Sequence, residues 1–200
     1  EALSYFTEFW PSDNTDPIER LFIQWGFSQV FPAKTMCAHV TTWNKNSSVK
    51  FRTDVAMMCK LGFDIKLADM SKDDETYCRT AVQNYNRLKP VVLEGDMYRL
   101  VSPYGSNHTS TMYVGKDKDK AVVFAFDIHP RYAEKTLPVR LQGLDADKMY
   151  RVKEINLMPG ANSSLSGNGE VFSGEFLMNV GLNLFTTQQL NSRVVEVVAE

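Results

Sequence analysis

The chain has 200 residues, with 22 Lys and Arg against 24 Asp and Glu, a formal net charge of -2. That balance argues against a protein built to coat nucleic acid or an anionic membrane. With 44% hydrophobic and 12% aromatic residues it can bury a sizeable core, and none of its apolar runs approaches the length of a membrane span.

No charged and then apolar leader is visible, and because the first residue is Glu1 and not Met the chain reads as cut from something longer. Tyr5–Trp10 is aromatic and weakly alternating, as at the end of a strand. A polar loop, Pro11–Thr15, follows. Asp16, Pro17 and Glu19 form a helix start, with Asp16 as the cap and Glu19 placed to bond back. Ile18, Leu21, Phe22 and Trp25 repeat on one helical face, and Gly26 is a stop. Phe31–Thr42 reads as a second strand with its exit loop. Phe51–Leu61 reads as a helix ended by Gly62, and Phe63–Leu67 as a third strand. Ser71 caps a further helix with Tyr77, Ala81, Tyr85 and Leu88 on its apolar face. Repeated strand–helix units are the grammar of a parallel α/β sheet or barrel, and three of them are too few to close one.

Pro90 marks a change to strands and turns. Met97–Ser102, Thr111–Val114, the nearly continuously apolar Ala121–Ile128, Met149–Leu157 and Val194–Val198 read as an antiparallel sandwich able to fold alone. In Met149–Leu157 the apolar phase slips after Val152, which predicts a bulge near Lys153 and Glu154. The division is 1–89, α/β, and 90–200, all-β.

The chemistry-bearing residues cluster in Trp10-Pro11-Ser12-Asp13-Asn14-Thr15-Asp16. A carboxylic acid at the C-terminal end of a parallel strand can serve as a general acid, and a neighbouring Trp offers an apolar face to a sugar ring. The same stretch also reads as an Asx-rich loop capping a helix. It lacks the spacing and the glycine of a calcium loop. Cys37 and His39, two apart, share a side of their strand, but no third group is evident to orient them as a nucleophile pair. His39, near the same rim, is a candidate substrate contact or a structural histidine. His108 and His129 fall in expected loops without ligand spacing. Three cysteines without a Cys-x-x-Cys pair argue against a disulfide scaffold or structural zinc, and no Gly-rich phosphate loop occurs, so no metal and no cofactor are expected. Three Asn-x-Ser/Thr triplets, at Asn46, Asn107 and Asn162, match a glycosylation pattern that also arises by chance.

From Trp10 to Leu21, with Gln24-Trp25-Gly26, Phe31-Pro32, Ala38-His39-Val40-Thr41 and Phe51–Met58, the sequence resembles glycoside hydrolase family 36, the α-galactosidases. The resemblance continues through Gly95–Leu100, Ser102-Pro103-Tyr104, Leu141–Asp145 and Tyr150, in order along the chain. It implies the last strands and helices of a (β/α)8 TIM barrel followed by a C-terminal antiparallel β-sandwich. It also implies a parent that hydrolyses terminal α-linked galactose, as in melibiose and raffinose, with retention. The Ser-Asp-Asn motif makes Asp13 the acid/base, with Trp10, Ser12 and His39 as substrate contacts and Asp16 and Arg20 as loop supports. The family's nucleophile lies in a Lys-Trp-Asp motif, which does not occur in these 200 residues. A retaining mechanism needs two carboxyls about 5–5.5 Å apart, so the isolated chain is expected to be inactive. The expected partner is an α-galactoside oligosaccharide, with no nucleic acid and no membrane, and a homo-oligomeric parent stays open. The alternative is a noncatalytic carbohydrate-binding or interaction module centred on the sandwich, and a third reading is hydrolysis of another α-sugar on the same scaffold.

Overall fold

A computed structural model describes residues 4–43 and 46–200. In the first half, helix α1 (Pro17–Phe27) starts where expected, with the Asp16 carboxylate accepting from the N–H groups of Ile18 and Glu19. The Asp16 N–H is taken by Asn14 Oδ1 at 2.9 Å, the partner expected of Glu19. Strand β1 (Cys37–Thr41) follows, then α2 (Val49–Ala56), which begins two residues earlier than the apolar pattern predicts because Ser48 caps it. Strand β2 (Lys60–Asp64) pairs with β1 in parallel, His39 opposite Gly62. Gly62 is therefore a strand residue. A Cβ there would lie 3.5 Å from the His39 Cβ, an ordinary contact, so the strand does not demand glycine at this position. The expected strand at Tyr5–Trp10 reduces to one parallel bridge, Phe9 to Met36.

Helix α3 (Lys72–Glu94) is capped by Ser71 and buries Tyr77, Ala81, Tyr85 and Leu88, as the periodicity predicts. It does not end at Pro90. An interior proline costs a helix about 3 kcal/mol, and the burial of Leu88, Val91 and Val92 on either side offsets that cost. The chain turns at Gly95, where a Cβ would stand 2.3 Å from the Val91 carbonyl oxygen and 2.5 Å from that of Val114. Only glycine fits so close a passage of backbone.

The second half forms a six-stranded sheet. Its strands are β3 (Asp96–Val101), β4 (His108–Val114), β5 (Lys120–Asp127), β6 (Met149–Ile155), β7 (Val171–Ser173) and β8 (Asn191–Ala199), with the short helix α4 (Gly174–Asn179) following β7. The order is β3-β4-β5-β8-β6-β7, all neighbours antiparallel, so the last strand lies in the middle. Pairing of β6 with β8 runs without interruption from Tyr150–Ala199 to Ile155–Val194. The predicted bulge is absent there, and a register shift occurs instead in β3, between Arg99 and Val101. The apolar slip in β6 has another cause: both faces of the sheet are buried. Tyr150 and Val152 point into one core and Ile155 into the other.

One core lies between the sheet and α4 with the extended segments joined by the Val139–Leu182 bridge. The other is shared between the two halves of the chain. Leu21, Phe51, Tyr77, Leu88 and Val91 from the helices pack against Tyr113, Val122, Phe124, Phe126 and Val194 from the sheet. The sheet thus packs one of its faces on α2 and α3, which bears against the expectation that the second half folds alone.

The seam carries a buried polar hub. Asp54, fully buried in α2, accepts from Lys50 Nζ (2.5 Å), Tyr77 Oη (2.8 Å), Asn156 Nδ2 (3.0 Å) and Ser192 Oγ (2.7 Å). Asn156 sits at φ 58°, a left-handed conformation that Asn tolerates. Removing one member of a buried charged network leaves its partners unpaired, at about 3–5 kcal/mol. Asp54→Ala is therefore expected to lower the melting midpoint by about 6–20 °C, and a change within two degrees in a calorimetric scan would refute the hub.

Among the described residues no helix is long and apolar enough to cross a membrane.

Candidate active site

The Phe9–Met36 bridge lays Trp10 beside β1: Phe9 donates to the Thr35 carbonyl at 2.8 Å, and Cys37 donates to that of Phe9 at 3.0 Å. The Trp10 and His39 rings then meet, centroids 4.0 Å apart at 49°. Trp10 remains 44% exposed, so part of its indole stays available to a ligand.

The loop from Pro11 to Asp16 is braced from within. Arg20, 3% exposed, donates through Nη1 to the Ser12 carbonyl (3.1 Å) and through Nη2 to the Cys37 carbonyl (3.0 Å), tying loop to strand. Ser12 Oγ accepts from the Asn14 N–H at 3.1 Å. Thr15 Oγ1 and Thr41 Oγ1 lie 3.0 Å apart, and Asp16 caps α1. Asp16 and Arg20 are thus the loop's supports. Asp13 is exposed at the loop's outer turn, and among the described residues nothing hydrogen-bonds its carboxylate. It is near enough to His39 to act on its titration.

His39 is half-buried, and its Nδ1 is buried with no hydrogen-bond partner among the described residues. Burial lowers its pKa from 6.5, the Arg20 charge lowers it further, and Asp64 and Asp13 pull it partly back. At neutral pH the ring is uncharged and able to donate or accept one hydrogen bond. A depressed folded-state pKa contributes stability above pH 6.5 that is lost as pH falls through the folded value. The His39 imidazole is therefore expected to titrate by NMR with a midpoint below 6.5, and Asp13→Asn is expected to lower it further. A midpoint at or above 6.5 would contradict the burial, and indifference to Asp13→Asn would contradict the proximity.

Cys37 lies on the same face of β1 as His39, but burial and then Glu8 push its pKa up, which keeps it a thiol and disfavours a nucleophile role. Cys59 is pushed up to about 12 and Cys78 to about 11, both chiefly by burial. Asp64, at the end of β2 and facing the same side, is a polar group at this rim that the sequence reading passed over. Its only signal was the strand alternation of Phe63–Leu67, three residues later than the strand that forms. Among the described residues no cluster of three or more His, Cys, Asp or Glu is arranged to hold a metal. His108, expected in a loop, opens β4 and is buried against Asp127.

Two family models match the chain: Melibiase over residues 1–95, and the glycosyl hydrolase family 36 C-terminal domain over residues 108–197. An α-galactosidase 2 from Hypocrea jecorina is 35% identical over 97% of this chain and 25% of its own length. An α-galactosidase 1 from Pediococcus pentosaceus is 30% identical over 88% of this chain and 23% of its own. Among solved structures, the family 36 α-galactosidase AgaB of Geobacillus stearothermophilus superposes with a TM-score of 0.87 at 28% identity, covering 100% of this chain and 26% of that one. A variant of AgaA from the same organism, solved in complex with raffinose, gives 0.86 at 27%, covering 100% of this chain and 27% of that one. The chain spans about a quarter of the length of these relatives. Their likeness accounts for the parallel β1–β2 unit as the tail of a TIM barrel and for the antiparallel sheet as part of the C-terminal β-sandwich. From the two family models, the relatives and the shared fold together, the chain belongs to glycoside hydrolase family 36.

Proposed function

We propose that this chain contributes the acid/base of a retaining α-galactosidase, and that Asp13 is that residue. The observation that carries the reading is the setting of Asp13: an exposed carboxylate on a rigidly braced loop, in electrostatic contact with His39, whose ring packs against Trp10. In the first step Asp13 gives its proton to the departing glycosidic oxygen; in the second it takes one from the incoming water. Trp10 presents an apolar face to the sugar, Ser12 shapes the loop beside it, and neutral His39 offers a hydrogen bond without adding a charge. The substrate is an α-galactoside oligosaccharide, a reading supported by the raffinose complex of the AgaA variant. Residues 1–89 belong on this reading to the barrel and 90–200 to the sandwich, with α3 crossing the boundary.

Family members carry their nucleophile in a Lys-Trp-Asp motif, which these 200 residues lack. The chain by itself is therefore inactive in this reading, and a longer polypeptide that carries the motif is active. Melibiose hydrolysis by both tests it. Turnover by the 200-residue chain at the rate of the longer polypeptide would overturn the assignment.

A further inference from the structure

A second polar site lies in the sheet half, away from Asp13. His108 is 2% exposed, and its ring stacks on Phe185 with centroids 4.6 Å apart at 30°. Its Nδ1 stands 2.8 Å from Asp127 Oδ1, directly across the β4–β5 pair. Asp127, 1% exposed, also accepts from the Thr186 N–H (3.1 Å), Thr186 Oγ1 (2.6 Å) and Asn191 Nδ2 (3.0 Å). A carboxylate surrounded by donors is an acceptor only, so Nδ1 donates to it and Nε2 is the ring nitrogen left over.

Nε2 is buried and has no hydrogen-bond partner among the described residues. Glu134 Oε2 stands 3.7 Å away, beyond hydrogen-bond reach and itself an acceptor. Glu134 is held from behind by the Arg131 N–H (2.7 Å) and Asn107 Nδ2 (3.2 Å). Nε2 and the Glu134 carboxylate thus face each other with no hydrogen bond between them. Both line a pocket of about 610 Å³ whose other walls bring the donors Arg140 and Gln142 and the apolar side chains Leu137 and Val180.

The chemistry of these walls selects a ligand. An anion would meet Lys135 and Arg140 but would also face the fixed Glu134 carboxylate. A metal ion would find two ligands and an arginine. An apolar molecule would leave both groups unpaired. A hydroxylated neutral ring meets all the requirements: its hydroxyls, donors and acceptors both, pair with Nε2 and donate to Glu134, its oxygens accept from Arg140 and Gln142, and its C–H face rests on Leu137 and Val180. We propose that this pocket is a noncatalytic saccharide-binding site, oriented by the Asp127–His108 pair and independent of the site at Asp13.

The chain has three histidines, and two of them report on the two sites. With the full chain labelled with ¹⁵N-histidine, raffinose is titrated in the millimolar range while the imidazole nitrogens are followed. The expected result is a saturable shift of His108 Nε2 that persists in Asp13→Asn. Arg140 and Gln142 are exposed, so Arg140→Ala and Gln142→Ala leave the fold intact; each is expected to weaken the His108 response about tenfold. A response confined to His39, no saturation at His108, or undiminished binding in both rim variants would overturn the proposal. So would a His108 shift produced by zinc alone with raffinose inert, which would make the site a cation site.

Discussion

Asp13→Asn, made in a polypeptide that also carries the family's nucleophile, is expected to lower the turnover of melibiose by about 10²–10⁴-fold, the usual contribution of a positioned general acid. Stability is expected to change by less than about 0.5 kcal/mol, because the side chain is exposed and outside the loop's bracing. That separation makes the result interpretable: Ser12, Thr15, Asp16 and Arg20 hold the loop, and Asp13 holds nothing. The leaving group sharpens the test. A good aryl leaving group departs with little protonation, so glycosyl-enzyme formation is expected to be far less impaired with an aryl galactoside. Deglycosylation stays slow, because nothing deprotonates the water. Azide needs no general base and is expected to restore part of the rate. With the nucleophile on the β-face of the sugar, azide enters from the face where Asp13 stands, displaces the enzyme carboxylate and gives the α-galactosyl azide. A β-azide would make Asp13 the nucleophile, and unchanged melibiose turnover would make it a loop residue only.

What could be read from the residues alone followed the range of the forces involved. Asp16, Pro17 and Ser71 act on N–H groups two or three residues away, so the starts of α1 and α3 were legible. Ala121–Phe126 is apolar without alternation because both faces of β5 are buried, and it reads as such. The misses were all nonlocal. Gly62 looks like a helix stop until His39 is across from it. Pro90 looks like a helix end until the burial of Val91 and Val92 outweighs its missing N–H. The slip in β6 looks like a bulge until Ile155 is found in the core shared with the helices. At the site, the motif spacing singled out Asp13, Trp10 and Ser12. The meeting of Trp10 with His39 depends on the Phe9–Met36 bridge, which no local pattern encodes. The pairing of His108 with Asp127 needed the β4–β5 register.

Cutting the chain before β3 is expected to abolish cooperative folding of what remains. Residues 96–200 would keep every strand pair of the six-stranded sheet and the core on its α4 side, including Met112, Val123, Val195, Val197 and Leu177. They would lose the cover over Tyr113, Val122, Phe124, Phe126 and Val194, each at most 2% exposed in the whole chain. At about 1.5–3 kcal/mol per large apolar side chain, uncovering five of them removes on the order of 8–15 kcal/mol, as much as a domain's entire stability. The polar links across the seam go as well. Ser192 and Asn156 lose Asp54, Tyr113 Oη loses the Met58 carbonyl at 2.7 Å, and Arg99 Nε loses Ser28 Oγ at 2.9 Å. Strand pairing without fixed packing has a recognisable signature: far-UV β signal retained, near-UV signal lost, and an apolar dye bound. Calorimetry of residues 96–200 is accordingly expected to show no cooperative transition, whereas the 200-residue chain shows one. A sharp melt with a native near-UV spectrum in the shortened chain would mean that the sandwich is autonomous and that α2 and α3 only rest on it.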